Sequence, residues 1–329
     1  MVSFKKYFAY QFRKSLPALL IMGVIALLLT FSNVDVYVHP DEIAEITDER
    51  ITVSFGILAF ILGALCTVAP VLMLSPFKNR RNLDTLLFLP VSRVKVAITH
   101  YLVGLIHVIS VYTACFICTF LHLLQYFKYL FPIYLIPYYF LSVLYGIVLY
   151  SLFIFIFQQG STVADGAIFI LSYIFAPWAI VASITNTFDL SNVGEYFIIY
   201  APIDAVHNFF RDKIAPDSSI YQLEDCQIFI LILYGILGIA SIFGFIYAFS
   251  KKRAEKVGDI SDSYFGYKVI IPVLGYSLLL IATDILTIIL LAAMFVAYIV
   301  YRRSARLQKS DYICLGAAII PIILSSINR

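Results

Sequence analysis

Apolar residues run along this chain in long unbroken stretches, not in the alternating or one-face patterns of a soluble fold. Such stretches lie near 16–32, 51–75, 101–125, 132–157, 164–184, 226–250, 268–283, 285–301 and 311–327. A bilayer core requires roughly 20 apolar residues per helix. Lipid offers no partner to backbone N–H and C=O groups, so spanning segments are helices or closed barrels. Continuous runs without strict alternation predict helices. The first six are clear. The seventh and eighth are short and separated only by Asp284. They read as two short helices, a re-entrant pair or one long kinked helix.

Composition moves the picture in the same direction. Of the 329 residues, 62% are hydrophobic and 13% charged, with a mean hydropathy of +0.93. A soluble domain carries about 25% charged residues. The expected fold class is therefore an all-α integral membrane protein, multi-pass, in the cell (plasma) membrane. The N-terminus carries Lys5, Lys6, Arg13 and Lys14 before the apolar run from Leu16 to Phe31. No small-x-small cleavage site follows, so a retained first helix is expected.

Charge arbitrates the topology. With a cytoplasmic N-terminus and nine crossings, the inside loops hold four basic residues near the start and five from Lys78 to Lys95. Five more run from Lys251 to Lys268 and four from Arg302 to Lys309. Outside fall only Arg50, Lys128, Arg211, Lys213 and Arg329. Cytoplasmic enrichment of Lys and Arg sets orientation. Fusing 268–301 into one helix would send the four cations of 302–309 outside, so two segments are expected there.

Two stretches outside the spans carry structure of their own. Phe4, Tyr7, Phe8, Gln11 and Phe12 share one helical face with Lys6 and Arg13 opposite, which predicts an amphipathic interfacial helix over 1–15. The alternative is a plain basic tail. The outside loop 185–225 is rich in aromatics, and Glu195 to Phe210 is too apolar for a free loop. It reads as a half-helix dipping into the outer leaflet or as an interfacial aromatic belt.

The inside loop over 76–98 reads PFKNRRNLDTLLFLPVSRVKVAI. Leu83, Leu86, Leu87 and Val91 fall at helical spacing, an apolar stripe outside the membrane that calls for a partner surface. Pro90 stops that helix, and Ser92 is placed to cap the next, beginning near Arg93. The alternative is an interfacial helix resting on lipid.

The run LDTLLFLPVSRVKVAITHYL resembles the loop after the second helix of ABC-2 type transporter permeases. There a leucine-rich stretch ends in L-P-[IV]-S-R and the third helix follows at once. The amphipathic start, a six-helix core over 16–256 and the long outside loop between the fifth and sixth spans fit the same family. So does SKKRAEKVGD after the sixth, which is similar to Gram-positive exporter members. The resemblance covers about 1–256. Residues 257–329 depart from the six-helix core and resemble the additional C-terminal segments, about three, of longer members.

The resemblance implies a permease subunit of an ATP-driven exporter. It implies pairing with a second permease chain and docking on a separate ATPase through Leu83, Asp84, Leu86, Leu87, Pro90, Val91, Ser92 and Arg93. By the same topology the second inside loop, with Gln158, Gln159 and Asp165, is a lesser contact; a simple polar turn is the alternative. Gly-Lys never occurs as a pair, so the phosphate cradle G-x-x-x-x-G-K-[ST] is absent and ATP and Mg are expected on the partner chain. No cofactor, metal, catalytic residue or nucleic-acid partner is expected in this one. An amphipathic or hydrophobic substrate suits a pathway with few charges, with membrane lipid as the surroundings.

The remaining polar features read as structural. His100 and His107 share a face of the third span; His100 lies near its cytoplasmic edge, His107 is expected to hydrogen-bond a neighbouring helix, and His122 is treated alike. Cys115 and Cys118 form a C-x-x-C inside an apolar helix and are read as packing residues. A small-residue face on the sixth span, with Gly235, Gly238, Ala240 and Gly244, reads as close helix packing within the chain or at a dimer seam. Two rivals remain: a non-transporting membrane sensor or scaffold, and a membrane-embedded enzyme acting on lipid. The second requires a reactive cluster that the sequence does not offer.

Overall fold

A computed structural model describes residues 4–33, 36–39, 50–53, 56–79, 91–124, 132–187, 198–214, 225–251, 263–282, 284–304 and 306–327. Among them are eleven α-helices and one two-stranded hairpin. In chain order these are α1 (Phe4–Asn33), β1 (Val36–His39), β2 (Arg50–Val53), α2 (Gly56–Leu74), α3 (Arg93–Leu123) and α4 (Leu135–Gln159). Then follow α5 (Val163–Thr187), α6 (Ala201–Ile214), α7 (Asp225–Lys251), α8 (Tyr267–Ile281), α9 (Asp284–Arg302), α10 (Lys309–Ala317) and α11 (Ile319–Ile327). A 3-10 turn, Ser75–Lys78, extends α2, and another, Pro132–Tyr134, leads into α4.

Helices α1, α2, α3, α4, α5, α7 and α9 are long and apolar enough to cross a membrane; α8, at 15 residues, is shorter. The chain is thus a helical, multi-pass membrane protein by the length and composition of its helices. It divides into two compact units. The first comprises Met1–Met73, Pro90–Ile154 and Pro202–Ile246; the second comprises Leu74–Leu89, Phe155–Ala201 and Tyr247–Arg329.

In the first unit α1 and α3 lie side by side. Tyr7 meets His100, Ser15 meets His107, and Gly23 faces Val111, so residue numbers rise together along both helices. Parallel packing is what two spans separated by one further crossing must show. The amphipathic start is not a separate helix, because α1 runs unbroken from Phe4 through Pro17 to Asn33. Of its predicted face, Tyr7 and Gln11 are buried and Phe4, Phe8 and Phe12 half-buried, while Lys6 and Arg13 opposite are exposed. That face is covered by α3 itself. At 30 residues α1 is about 45 Å long, more than a bilayer core, so its polar start extends past the apolar zone.

Both histidines play the structural part read from sequence. The Tyr7 hydroxyl lies 3.2 Å from His100 Nε2, and the Ser15 hydroxyl lies 3.3 Å from His107 Nε2. His122 is exposed. Cys115 is buried, and Cys115 and Cys118 are both free thiols. On α7, Gly238 is in tight contact, whereas Gly235 faces open space. A Cβ on Gly238 would lie 2.8 Å from Val148 Cγ1 of α4, so the small residue serves packing within the chain.

Outside the spans, β1 and β2 pair antiparallel, Val36 opposite Val53 and His39 opposite Arg50, where the sequence suggested only loop and helix start. In the aromatic-rich loop between α5 and α7, where the sequence marked Glu195 to Phe210, the described residues form a helix, α6, over Ala201–Ile214. Pro202 in its first turn suits a helix start, where an N–H has no intrahelical partner anyway. Pro202, Ile203, Ala205, Val206, His207, Phe210 and Ile214 are buried, and the Phe210 ring lies 5.9 Å from that of Tyr138 on α4.

In the second unit the segment 268–301 is two helices, as the charge distribution required. α8 and α9 pack on each other as a hairpin broken after Ile281. The last apolar segment departs from expectation. In place of one helix over 311–327 there are two nine-residue helices, α10 and α11, each about 14 Å long. Pro321 explains the break. It lacks the N–H that would bond the Ala317 carbonyl. At the break the Ala318 N–H bonds the Leu315 carbonyl, and the Cys314 carbonyl accepts instead from the Tyr276 hydroxyl at 2.7 Å. A freed carbonyl in an apolar setting has to find such a partner. Leu279, Met294 and Ala318 form the small core beneath, with Tyr276 and Leu315 packed against it.

Candidate functional site

Of the loop residues singled out by sequence, Leu83, Asp84, Leu86, Leu87 and Pro90 lie outside the described residues. Val91, half-buried, and the exposed Ser92 and Arg93 are described. Ser92 occupies the position before the first helical residue, with φ −65° and ψ 143°, and its carbonyl accepts from the Val96 N–H at 3.1 Å. The helix therefore starts at Arg93 as the sequence indicates. The Ser92 side chain makes no capping hydrogen bond, however.

At the other end of that loop, in the second unit, stands a residue the sequence marked only as a charge. Lys78 is 6% exposed. Burying an ammonium costs several kcal/mol unless it is well partnered. Here the last turn of α4 supplies the partners. Lys78 Nζ donates to the carbonyls of Phe157 at 2.9 Å, Gln158 at 3.3 Å and Gly160, with the Phe157 ring centroid 5.0 Å away. The final carbonyls of a helix have no intrahelical donors, and its C-terminus carries partial negative charge. One buried cation answers both needs and closes α4.

The turn it closes is compressed by two glycines. A Cβ on Gly160 would stand 2.5 Å from the Gly166 nitrogen, and one on Gly166 would stand 2.6 Å from the Phe157 ring. Only glycine allows that approach. Thr162 and Asp165 then start α5 with a reciprocal capping box. The Asp165 N–H donates to Thr162 Oγ1 at 3.1 Å, and the Thr162 N–H to Asp165 Oδ2 at 3.2 Å.

Asp165, 9% exposed, does more than cap. Its Oδ1 accepts from the Tyr267 hydroxyl at 3.0 Å, its Oδ2 from the Ser161 hydroxyl at 3.2 Å, and Arg303 stands 3.5 Å from Oδ2. Tyr267 opens α8 and Arg303 directly follows α9, so the hairpin leaves from and returns to one carboxylate. Arg303 is the sole non-glycine residue with positive φ among those described, at 52°. Such a left-handed residue turns the chain sharply at a helix end. Nearby, Ser263 donates to Gln159 Oε1 at 2.8 Å and the Tyr173 hydroxyl to the Phe265 carbonyl at 3.2 Å.

The structure thus turns the second-loop candidates inward. Gln158 is buried, Gln159 holds Ser263, and Asp165 holds the C-terminal hairpin. Sequence reasoning missed Lys78, Tyr267 and Arg303 as partners. The T-x-x-D spacing of Thr162 and Asp165 was the available signal for the cap; nothing local signals the long-range partners.

A second junction closes the C-terminal segment. Arg302 grips Asp311 bidentately, Nε to Oδ2 and a terminal nitrogen to Oδ1, both at 2.8 Å. Asp311 also forms a capping box with Gln308. The Arg302 guanidinium, above all, holds the Asp311 carboxyl below the usual carboxylate range. Among the described residues no three His, Cys, Asp or Glu side chains gather as a metal site. The arrangement is mechanical: charges and caps that lock turns between helices. No family model, no curated protein and no solved structure matches the chain.

Proposed function

We propose that this chain is the membrane permease subunit of an ATP-driven exporter of the ABC-2 type, coupled to a separate ATPase through the loop 76–98. The observation that carries the reading is the position of L-P-V-S-R. It lies between α2 and α3, and α3 begins at its arginine, Arg93. Two structural features support a coupling role. Lys78 fixes the start of the loop onto the end of α4 in the second unit. Val91 to Arg93 run directly into α3 in the first. A segment whose ends are built into different units can pass a displacement to both. In this mechanism ATP favours one arrangement of the partner ATPase and thereby shifts the helix equilibrium of the permease.

The test uses inverted membrane vesicles and a fluorescent amphipathic peptide as probe. Vesicles containing the chain and its partner accumulate the peptide when ATP is added. Leu87→Asp and Arg93→Glu leave the amount of chain in the membrane unchanged and abolish accumulation. Full accumulation by either variant would remove its residue from the coupling role. The alternative reading, a non-transporting sensor or scaffold, expects no ATP-dependent accumulation and tolerance of both substitutions.

A further inference from the structure

Cations crowd one edge of the second unit, and most of them are unspent. Asp165 draws together Tyr267, at the start of α8, and Arg303, after α9. Lys268 and the stretch 302–309 therefore border the same edge. Two carboxylates are described there, and each already holds an arginine: Asp165 takes Arg303 and Asp311 takes Arg302. Lys268, Arg306 and Lys309 are exposed, and none of the three is ion-paired among the described residues.

Apolar side chains stand beside these cations where no span needs them. Tyr264 is 84% exposed and Phe265 50% exposed, in the turn before α8. Tyr312 is 57% and Ile313 71% exposed, in the first turn of α10 next to Lys309. Outward aromatics at a helix end, interleaved with lysine and arginine, match one environment: rings sit at headgroup level while cations reach the phosphates. The edge also lies at the right height, because α9 ends at Arg302 as a membrane-length helix.

The geometry points to a site for anionic phospholipid headgroups, formed by Lys268, Arg306 and Lys309 and flanked by Tyr264, Phe265, Tyr312 and Ile313. The occupant is a negatively charged lipid of the surrounding bilayer. The cations attract its phosphate, and the aromatic and aliphatic groups lie against its glycerol and upper acyl region. The site does not depend on the transport reading.

The test takes the purified full chain in mild detergent. Thermal unfolding is followed while phosphatidylglycerol, phosphatidylcholine or inorganic phosphate is added, and native mass spectrometry counts retained lipid. Phosphatidylglycerol raises the unfolding temperature and is retained; phosphatidylcholine and inorganic phosphate do neither. The double variant Arg306→Gln/Lys309→Gln loses about twenty-five-fold in apparent affinity for phosphatidylglycerol, at roughly fivefold per cation. A control, Lys5→Gln/Lys6→Gln, leaves that affinity unchanged. Equal stabilisation by phosphatidylcholine, the same effect from inorganic phosphate, or an unaltered double variant would each overturn the site. Should the double variant prove unstable, a Tyr264→Trp probe in a Trp178→Phe background decides. Headgroup-level placement predicts quenching by lipid brominated near the glycerol; quenching only by aqueous acrylamide contradicts it.

Discussion

Lys78 has its charge buried, and its three carbonyl partners all belong to the turn that ends α4. Lys78→Met keeps the stem but takes the lysine donor from the Gln158 and Gly160 carbonyls, while the Phe157 carbonyl keeps the Gly160 N–H at 3.2 Å; a carbonyl buried unpaired costs about 1–3 kcal/mol. The expected loss is roughly 3 kcal/mol, read as a lower midpoint in thermal unfolding of the purified chain; an unchanged midpoint would contradict the capping role. Asp311 is the second residue whose protonation matters. Its carboxyl is held low by Arg302, so the pair stabilises the fold fully above the ordinary carboxylate range, about pH 4. That contribution is lost as pH falls through the depressed folded value. Stability of the wild-type chain should thus show an acid-side decline that Asp311→Asn reduces, the variant being already weaker at pH 7 by about 3 kcal/mol. Identical acid profiles for the two proteins would rule the pair out as a contributor. Sequence marked Lys78 only as a loop charge and gave Asp311 no role at the start of the last apolar segment, because neither a cap reaching across 79 residues nor an ion pair across nine leaves a hydrophobic periodicity.

At the scale of elements, the long apolar helices were legible because a membrane span is written in one continuous stretch. The hairpin α8–α9 was expected from charge: with a cytoplasmic N-terminus, one long helix would send Arg302, Arg303, Arg306 and Lys309 outside. What the pattern could not separate was amphipathicity facing lipid from amphipathicity facing another helix. The face of Tyr7 and Gln11 reads identically in both cases, and α3 claims it through His100 and His107. The N-terminal turns should therefore be held by that seam and not by the bilayer. With His100 and His107 both replaced by leucine, trypsin should cut after Arg13 and Lys14 several-fold faster, since cleavage requires local unwinding. An unchanged rate would return this segment to the lipid surface. The break between α10 and α11 was missed for a different reason. Hydropathy counts Pro321 as one more residue, whereas the backbone counts a missing donor.

Across the whole molecule, the structure defines a multi-pass helical protein whose turns in the second unit are locked by Lys78, Asp165 and Asp311. The reading of that frame as a permease comes from the order of the chain: a leucine-rich loop, a proline corner, and a third helix starting at Arg93. The part of the loop that would meet an ATPase, Leu83 to Leu87, is read from sequence alone. The most direct measurement is to purify the tagged chain from membranes in mild detergent and identify what accompanies it. The account predicts a stoichiometric ATPase carrying G-x-x-x-x-G-K-[ST], lost with Leu87→Asp while the variant still reaches the membrane. A chain that purifies alone, under conditions that keep other membrane complexes whole, would contradict it.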